Sequence, residues 1–155
     1  MSSEQDFRNT IQSVTDAIGL RTLDTALQTD LNARFPAHGE VYEKILLCCK
    51  DGIANGWMCK HEQGGIHYGR VIKPAQELGG YSVDVVQMED IAGPHHRHPL
   101  GEIDLIMPLD PAAKFDQHPA GWLVYGPGSA HSPTVSNGQA LILYLLPQGA
   151  IEFSR

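Results

Sequence analysis

Basic residues are scarce in this sequence and nowhere form a block. Its 155 residues include 11 lysines and arginines against 18 aspartates and glutamates, so the formal net charge is −7. A nucleic-acid groove needs clustered cations that replace phosphate counterions, and the composition therefore argues against a nucleic-acid partner. It does not argue against a small anionic ligand, because one arginine in a pocket can bind a carboxylate.

Long apolar runs are also missing. No run approaches the roughly 20 residues that a helix needs to cross a bilayer, and the opening residues MSSEQDFRNT lack the basic and apolar regions of a signal peptide. We therefore expect no membrane partner and a cytoplasmic location. The three cysteines, Cys48, Cys49 and Cys59, fit neither a disulfide framework nor the spacing of a zinc site.

The length and composition are typical of one soluble domain with its own core, since 42% of the residues are hydrophobic and 19% are charged. We predict a single domain over residues 1–155. Residues 1–52 are expected to form a helical N-terminal segment and residues 56–155 a β part.

Three helices are predicted in the N-terminal segment. Apolar residues at helical spacing mark one face of the first helix: Phe7, Ile11, Val14 and Ile18. Ser2 with Gln5 resembles a capping box, and Gly19 can end this helix. The second helix carries Leu23, Leu27, Leu31 and Phe35 and ends before Pro36. The third is predicted from Glu40 to Lys50, followed by Gly52.

Short β-rich runs dominate the rest of the chain and alternate with connections that contain glycine and proline. They are IHYGRVI, YSVDVVQM, EIDLIMPL, GWLVY and ALILYLL. Strands at this spacing indicate an antiparallel sandwich or barrel, and no helix-length pattern separates them as a parallel sheet would require. The fold class expected is α+β, mainly β.

The segment GPHHRHPLGEID, residues 93–104, concentrates three of the eight histidines within four positions. Residues two apart on a strand share a face, so His96 and His98 should project together while Arg97 faces away. Glu102 follows closely enough for a turn at PLG to bring its carboxylate back. Two imidazoles and a carboxylate on one side of a divalent metal leave coordination positions open for water or substrate. His131, after a Pro-Gly turn, is a plausible fourth ligand.

These segments resemble the two motifs of the cupin family. HRHPLGE (His96-x-His98-x3-Glu102) is similar to the first motif, and GWLVYGPGSAH, which ends at His131, is similar to the second. The resemblance implies a cupin-type antiparallel β-sandwich or barrel, here preceded by the helical segment. It also implies that His96, His98, Glu102 and His131 bind a divalent metal ion.

The donor set suits zinc, iron, manganese, nickel or copper, and the sequence does not choose among them. Such an ion lowers the pKa of bound water and acts as a Lewis acid on an oxygen-bearing substrate. If the working enzyme holds no metal, the same residues are acid–base candidates, because imidazole groups titrate near neutrality.

The run from residue 93 to residue 153, and the helical leader before it, also resemble the bacterial 4-hydroxylaminobenzoate lyase family. Members convert 4-hydroxylaminobenzoate into protocatechuate and ammonia during nitrobenzoate degradation. The resemblance implies an ammonia-releasing lyase that acts on a small aromatic carboxylate. For that substrate, Arg70 is the residue expected to bind the carboxylate, and Trp122, Tyr125 and Tyr144 are candidates to stack on the ring.

Two other functions stay open. The chain could be another metal-dependent cupin enzyme, such as an aromatic-acid dioxygenase, which would consume oxygen with ferrous iron. It could instead be a non-catalytic cupin that binds a small ligand, although no basic helix-turn-helix accompanies the β part. A homodimer is expected in each case, because a sheet edge and amphipathic helices invite pairing.

Overall fold

The computed structural model describes residues 3–154, and it confirms the α+β class with helices before a mainly antiparallel β part. The helices are α1 (Glu4–Ile18), α2 (Thr25–Arg34) and α3 (Glu40–Ala54). The strands are β1 (His61–Gln63), β2 (Ile66–Ile72), β3 (Tyr81–Ala92), β4 (His96–His98), β5 (Glu102–Pro108), β6 (Lys114–Phe115), β7 (Gly121–Tyr125), β8 (Ser129–His131), β9 (Thr134–Pro147) and β10 (Glu152–Phe153). Four of the five predicted β-rich runs lie wholly in these strands, and the fifth, EIDLIMPL, extends one residue beyond β5.

The first helix has the predicted buried face, since Phe7, Ile11, Val14 and Ile18 are fully buried. Its capping box is formed by Ser3 and Asp6: the Asp6 amide donates to Ser3 Oγ at 3.0 Å, and the Ser3 amide donates to Asp6 Oδ2 at 3.3 Å. The predicted cap at Ser2 lies outside the described residues. Gly19 ends the helix, as predicted.

The third helix is longer than the sequence pattern indicates and continues through Gly52 to Ala54. A Cβ atom on Gly52 would lie 2.6 Å from Cγ of Met58. The glycine therefore allows the chain after the helix to pack closely against it, which explains why Gly52 lies inside α3 instead of ending it.

The strands form two antiparallel sheets. The large sheet has the order β1-β2-β3-β9-β5-β7, with β6 also paired to β9, and the small sheet has the order β10-β4-β8. Strand β9 is central, because it pairs with β3 on one side and with β5 on the other. The small sheet thus contains both predicted histidine segments, and the large sheet contains Glu102.

Each face of the large sheet borders its own hydrophobic core, as alternation along β9 shows. Leu141, Leu143 and Leu145 pack with the buried residues of the three helices. Ile142, Tyr144 and Leu146 pack on the opposite face with residues that include Met88, Phe115 and Leu123. We call these the helix core and the inner core.

Helix α2 covers the edge strand β7. Asn32 donates to the Trp122 carbonyl at 2.9 Å and accepts from its amide at 2.8 Å, and Gln28 accepts from the Val124 amide at 2.9 Å. These side chains pair backbone groups that an open sheet edge would leave exposed. Among the described residues, no helix is long and apolar enough to cross a membrane.

Candidate active site

The histidine-rich segment forms strand β4 with the predicted alternation. His96 and His98 are buried, and Arg97 between them is exposed. In the small sheet His96 pairs with His131 of β8 and His98 pairs with Ser129. Since paired residues project to the same face, β8 places His131 beside His96.

The turn after β4 and the turn before β8 both form a hydrogen bond to one carbonyl group beside this strand pair. The His98 carbonyl accepts from the Gly101 amide at 3.2 Å and from the Gly128 amide at 2.7 Å. Gly101 has φ +93°, a conformation that favours glycine. The turn after β4 therefore returns the chain at once, and Glu102 begins β5 with its side chain fully buried.

The structure brings together the four residues that the sequence predicted as ligands: His96, His98, Glu102 and His131. We call them the His/Glu cluster. One potential ligand atom from each lies within 4.8 Å of the others. Glu102 Oε1 is 3.2 Å from His98 Nε2 and 3.8 Å from His96 Nε2, and Glu102 Oε2 is 3.7 Å from His131 Nε2. The Nε2 atoms of His96 and His131 are 3.1 Å apart.

Several of these buried atoms have no hydrogen-bond partner within residues 3–154. They are Nε2 of His98 and both carboxylate oxygens of Glu102. Burial of polar atoms without a partner is costly, and a cation at their common centre would satisfy all three. Imidazole nitrogens with one carboxylate are the donors that divalent transition metals accept, so the residues fit a metal ion.

Glu102 carries a negative charge in this setting. Burial by itself raises the pKa of the carboxyl group, but the neighbouring His96, His98 and Asp104 side chains outweigh that effect and bring its pKa down to about 2. The group therefore supplies an anionic ligand at neutral pH.

The other ring nitrogen of each histidine has its own partner. His96 Nδ1 lies 3.3 Å from the Pro94 carbonyl oxygen, and His98 Nδ1 lies 2.9 Å from Ser129 Oγ. His131 Nδ1 lies 2.5 Å from Asp116 Oδ2. Partners of this kind orient the imidazole rings, so that all three Nε2 atoms face the centre of the cluster.

Asp116 is a site residue that the sequence analysis missed. Its carboxylate also accepts from Tyr125 Oη at 2.5 Å and from the Thr134 amide at 2.9 Å. Burial raises the pKa of Asp116, but the bonds from His131, Tyr125 and Thr134 prevail and lower it. No motif indicated this residue, which directly follows the two-residue strand β6 at φ +48°.

Asp104 was also missed, although strand alternation contained the signal, since it lies two positions after Glu102. Its side chain is fully buried, and neither carboxyl oxygen has a hydrogen-bond partner in the described part of the chain. Burial and the nearby Glu102 charge raise its pKa well above the ordinary value. The two neighbouring carboxyl groups are therefore shifted in opposite directions, with the pKa of Asp104 raised and that of Glu102 lowered.

The aromatic candidates are divided between the two faces of the large sheet. The Tyr125 ring lies at the cluster, with its centroid 4.6 Å from that of His131 and 5.5 Å from that of His98. Trp122 is not brought to the cluster, because it packs in the helix core and donates from Nε1 to the Phe35 carbonyl at 3.1 Å. Tyr144 lies in the inner core, 6.2 Å from the Phe115 ring.

Arg70 is engaged with Asp84 of the neighbouring strand. Its Nε donates to Asp84 Oδ1 at 2.8 Å, and its Nη2 lies 3.3 Å from Asp84 Oδ2 and 3.2 Å from the Gly149 carbonyl. In the large sheet Asp84 pairs with Tyr144, which pairs with Asp104 on its other side. Arg70 itself pairs with Asp84, so Arg70, Asp84, Tyr144 and Asp104 form one row across β2, β3, β9 and β5. Asp104, at the far end of this row from Arg70, lies two residues after Glu102.

Comparison with known proteins gives a consistent family. The family model described as PnbB, 4-hydroxylaminobenzoate lyase, matches residues 9–153. A 4-hydroxylaminobenzoate lyase of Pseudomonas putida is 31% identical over 150 residues, which cover 86% of this chain and 85% of that protein. A 4-hydroxylaminobenzoate lyase of Nocardioides sp. (strain LMS-CY) is 31% identical over 163 residues, covering 99% and 96%.

Solved structures with some likeness include an RmlC-like cupin protein from Ralstonia eutropha JMP134. It has a TM-score of 0.46 and 11% identity and covers 60% of this chain and 62% of that one. The DMSP lyase DddQ from Ruegeria pomeroyi DSS-3 has a TM-score of 0.41 and 17% identity, with 96% of both chains covered.

Proposed function

The chain belongs to the 4-hydroxylaminobenzoate lyase family, a family of enzymes, and we propose that it converts 4-hydroxylaminobenzoate to protocatechuate and ammonia at the His/Glu cluster. The observation that carries this proposal is the convergence of the four donor side chains from β4, β5 and β8 on one buried point. The substrate class comes from the names of the two relatives, which the chain matches over most of their length.

The His/Glu cluster is proposed to hold one divalent cation through the Nε2 atoms of the histidines and the Glu102 carboxylate. A bound cation would supply Lewis acidity and would favour ionisation of a water molecule near neutral pH. The partners at Nδ1 of each ring keep the histidines oriented for this task. Which metal is bound is a question for elemental analysis.

The proposed reaction neither oxidises nor reduces the substrate overall. The N–O bond breaks as the hydroxyl group is protonated and leaves as water, which makes the ring electron-poor. A water molecule adds at the carbon ortho to nitrogen, and loss of a proton leaves an imine at the adjacent carbon. A second water hydrolyses this imine, ammonia leaves, and tautomerisation gives the catechol. Two water molecules enter and one is released, so the net reaction consumes one.

Tyr125 is the proposed proton donor to the departing hydroxyl group. Burial is the main reason that the pKa of this phenol is raised, and the Asp116 carboxylate adds to the effect. The phenol therefore stays protonated at neutral pH. Its one hydroxyl proton bonds to Asp116 in this structure, so the proposed step requires the hydroxyl group to turn from Asp116 towards the departing group. Its ring lies beside His131, which is the most exposed ligand of the cluster at 12% of its side chain.

The test of this proposal is an assay of purified protein with 4-hydroxylaminobenzoate, measuring ammonia and protocatechuate in equal amounts. Activity should disappear after chelation and return with one added divalent metal. The His96→Ala, His98→Ala double variant should release neither product. A matched control is His61→Ala, which removes an exposed imidazole of β1 and should retain full activity.

A lack of both products with every divalent metal tried would overturn the proposal. Oxygen consumption that depends on ferrous iron would instead favour an aromatic-acid dioxygenase, and ligand binding without turnover would favour a binding protein. The homodimer stays a prediction as well. Light scattering coupled to gel filtration tests it.

A further inference from the structure

One row of the small sheet places an aromatic ring next to two members of the His/Glu cluster. Phe153 of β10 pairs with His96 of β4, and His96 pairs with His131 of β8. Directly paired residues project to the same face, so the three side chains stand side by side. The Phe153 ring centroid is 5.6 Å from that of His96.

Phe153 differs from the rest of this row because it faces solvent. Its side chain is 59% exposed, whereas His96 is 3% exposed and His131 12%. The row therefore runs from buried imidazoles to an open aromatic face. A molecule whose reacting atoms reach the cluster from solvent would pass this face.

Polar contacts hold Phe153 in place on both sides. The Ser154 amide donates to the His95 carbonyl at 3.0 Å, and His95 Nδ1 lies 2.5 Å from Ser154 Oγ. Arg97 Nε donates to Glu152 Oε2 at 3.2 Å. The neighbours on either side thus attach β10 to the strand that carries the histidines and fix the backbone from which the exposed ring projects.

We propose that Phe153 binds the aromatic ring of the substrate while the substituent nitrogen lies at the His/Glu cluster. This inference rests on the proposed function, which supplies an aromatic substrate. Phe153 acts in binding and specificity and is not a catalytic residue. Tyr125 lies beside His131 at the other end of the row, so an aromatic side chain stands next to each of the two histidines of this row.

Contact with the Phe153 ring should favour ligands that have an aromatic ring. Two aromatic rings attract each other through offset or edge-to-face arrangements beyond the effect of buried area, and a saturated ring lacks that contribution. Phe153 should therefore favour a benzoate over the cyclohexane carboxylate of similar size and charge. Replacement by leucine keeps an apolar side chain and removes only the aromatic contribution.

The experiment measures equilibrium binding by calorimetry to the metal-loaded full-length protein. The probes are 4-aminobenzoate, which lacks the N–O bond and cannot react, and trans-4-hydroxycyclohexanecarboxylate, which at neutral pH is likewise a monoanion with an uncharged substituent opposite the carboxylate. For Phe153→Leu we expect the Kd of 4-aminobenzoate to rise about 3- to 10-fold, while that of the saturated probe changes little. Phe153→Tyr should restore wild-type binding, and metal content should be the same in all proteins.

The matched control is Tyr68→Leu, which makes the same kind of change at an exposed aromatic residue of β2. It should leave both Kd values unchanged. An unchanged Kd for 4-aminobenzoate in Phe153→Leu, or an equal loss for both probes, would overturn the inference. Because the readout is binding, it stands apart from turnover: absence of ammonia release in the wild-type protein would contradict only the proposed reaction.

Discussion

His131 Nδ1 and Asp116 Oδ2 lie 2.5 Å apart, which makes Asp116 the partner that orients the most exposed ligand of the His/Glu cluster. Asp116 also accepts from Tyr125, the proposed proton donor. One carboxylate therefore supports both a ligand and an acid. We therefore expect a residue without direct access to the cluster centre to influence both the proposed metal binding and the proposed first bond cleavage.

Replacement of Asp116 should weaken metal binding. For Asp116→Asn we expect metal affinity to fall about 10- to 100-fold, because loss of a ligand's hydrogen-bond partner costs affinity of this order. Competition with a chromophoric chelator measures it. Asp16→Asn, the same change on the exposed face of α1, should leave affinity unchanged. Equal affinities in the two variants would contradict the assigned role of Asp116.

The Tyr125→Phe variant tests the Tyr125 hydroxyl group as proton donor separately from the Tyr125 aromatic ring. The substitution retains the aromatic side chain beside His131 and removes the hydroxyl group that bonds to Asp116. We expect kcat for ammonia release to fall by about 100-fold or more, as for a lost general acid, with little change in metal content. Steady-state kinetics and elemental analysis provide the two measurements. If kcat persisted in this variant, another group would have to protonate the leaving hydroxyl.

Removal of the metal should lower thermal stability. A ligand at 100 times its Kd stabilises the folded protein by about 2.7 kcal/mol, so chelation should decrease Tm. In Glu102→Gln the anionic ligand is lost, and chelator should then change Tm much less. Glu89→Gln, at an exposed position on β3, should respond to chelator as the wild type does. Calorimetric scans with and without chelator make the comparison.

Trp122 should matter for stability and not for catalysis. In Trp122→Phe the Phe35 carbonyl loses its partner in a buried setting, so the unfolding free energy should fall by about 1–3 kcal/mol. Urea unfolding measures the change. The kcat/KM value of the folded variant should stay near that of the wild type. A large rise in KM would instead indicate that Trp122 contacts the substrate.

Arg70 should behave as a structural ion-pair residue. Arg70→Met leaves the largely buried Asp84 without its cation, and we expect the unfolding free energy to fall by about 1–3 kcal/mol. Adding Asp84→Asn should recover part of this loss, since the two positions are coupled. An increase in KM with unchanged stability would instead support the predicted contact with the substrate carboxylate.

The convergence of the four predicted ligands was predictable because it depends on local rules. His96 and His98 share a face through strand alternation, and the PLG turn returns Glu102 within a few residues. His131 follows a Pro-Gly turn in a motif of recognisable order. Each of these features is encoded by neighbours in the sequence, so the four positions could be identified before any coordinates.

Asp116 could not be identified in this way. Its position depends on the pairing of the short strand β6 with β9 and on a left-handed backbone conformation just after it. Both are consequences of tertiary packing. The different placement of Trp122 and Tyr125 could have been predicted: they lie three positions apart on β7, and an odd spacing places side chains on opposite faces of a strand.

Strand β9 contributes side chains to both the helix core and the inner core, so both layers depend on it. Its odd-numbered leucines complete the layer beneath the helices, while Ile142 and Tyr144 between them complete the layer next to the reacting groups. Insertion or deletion of a single residue early in this strand would exchange the two sets. Such a change would damage folding and chemistry simultaneously, whereas substitutions that preserve the count can alter either layer alone. We therefore expect β9 to tolerate substitutions far better than changes in its length.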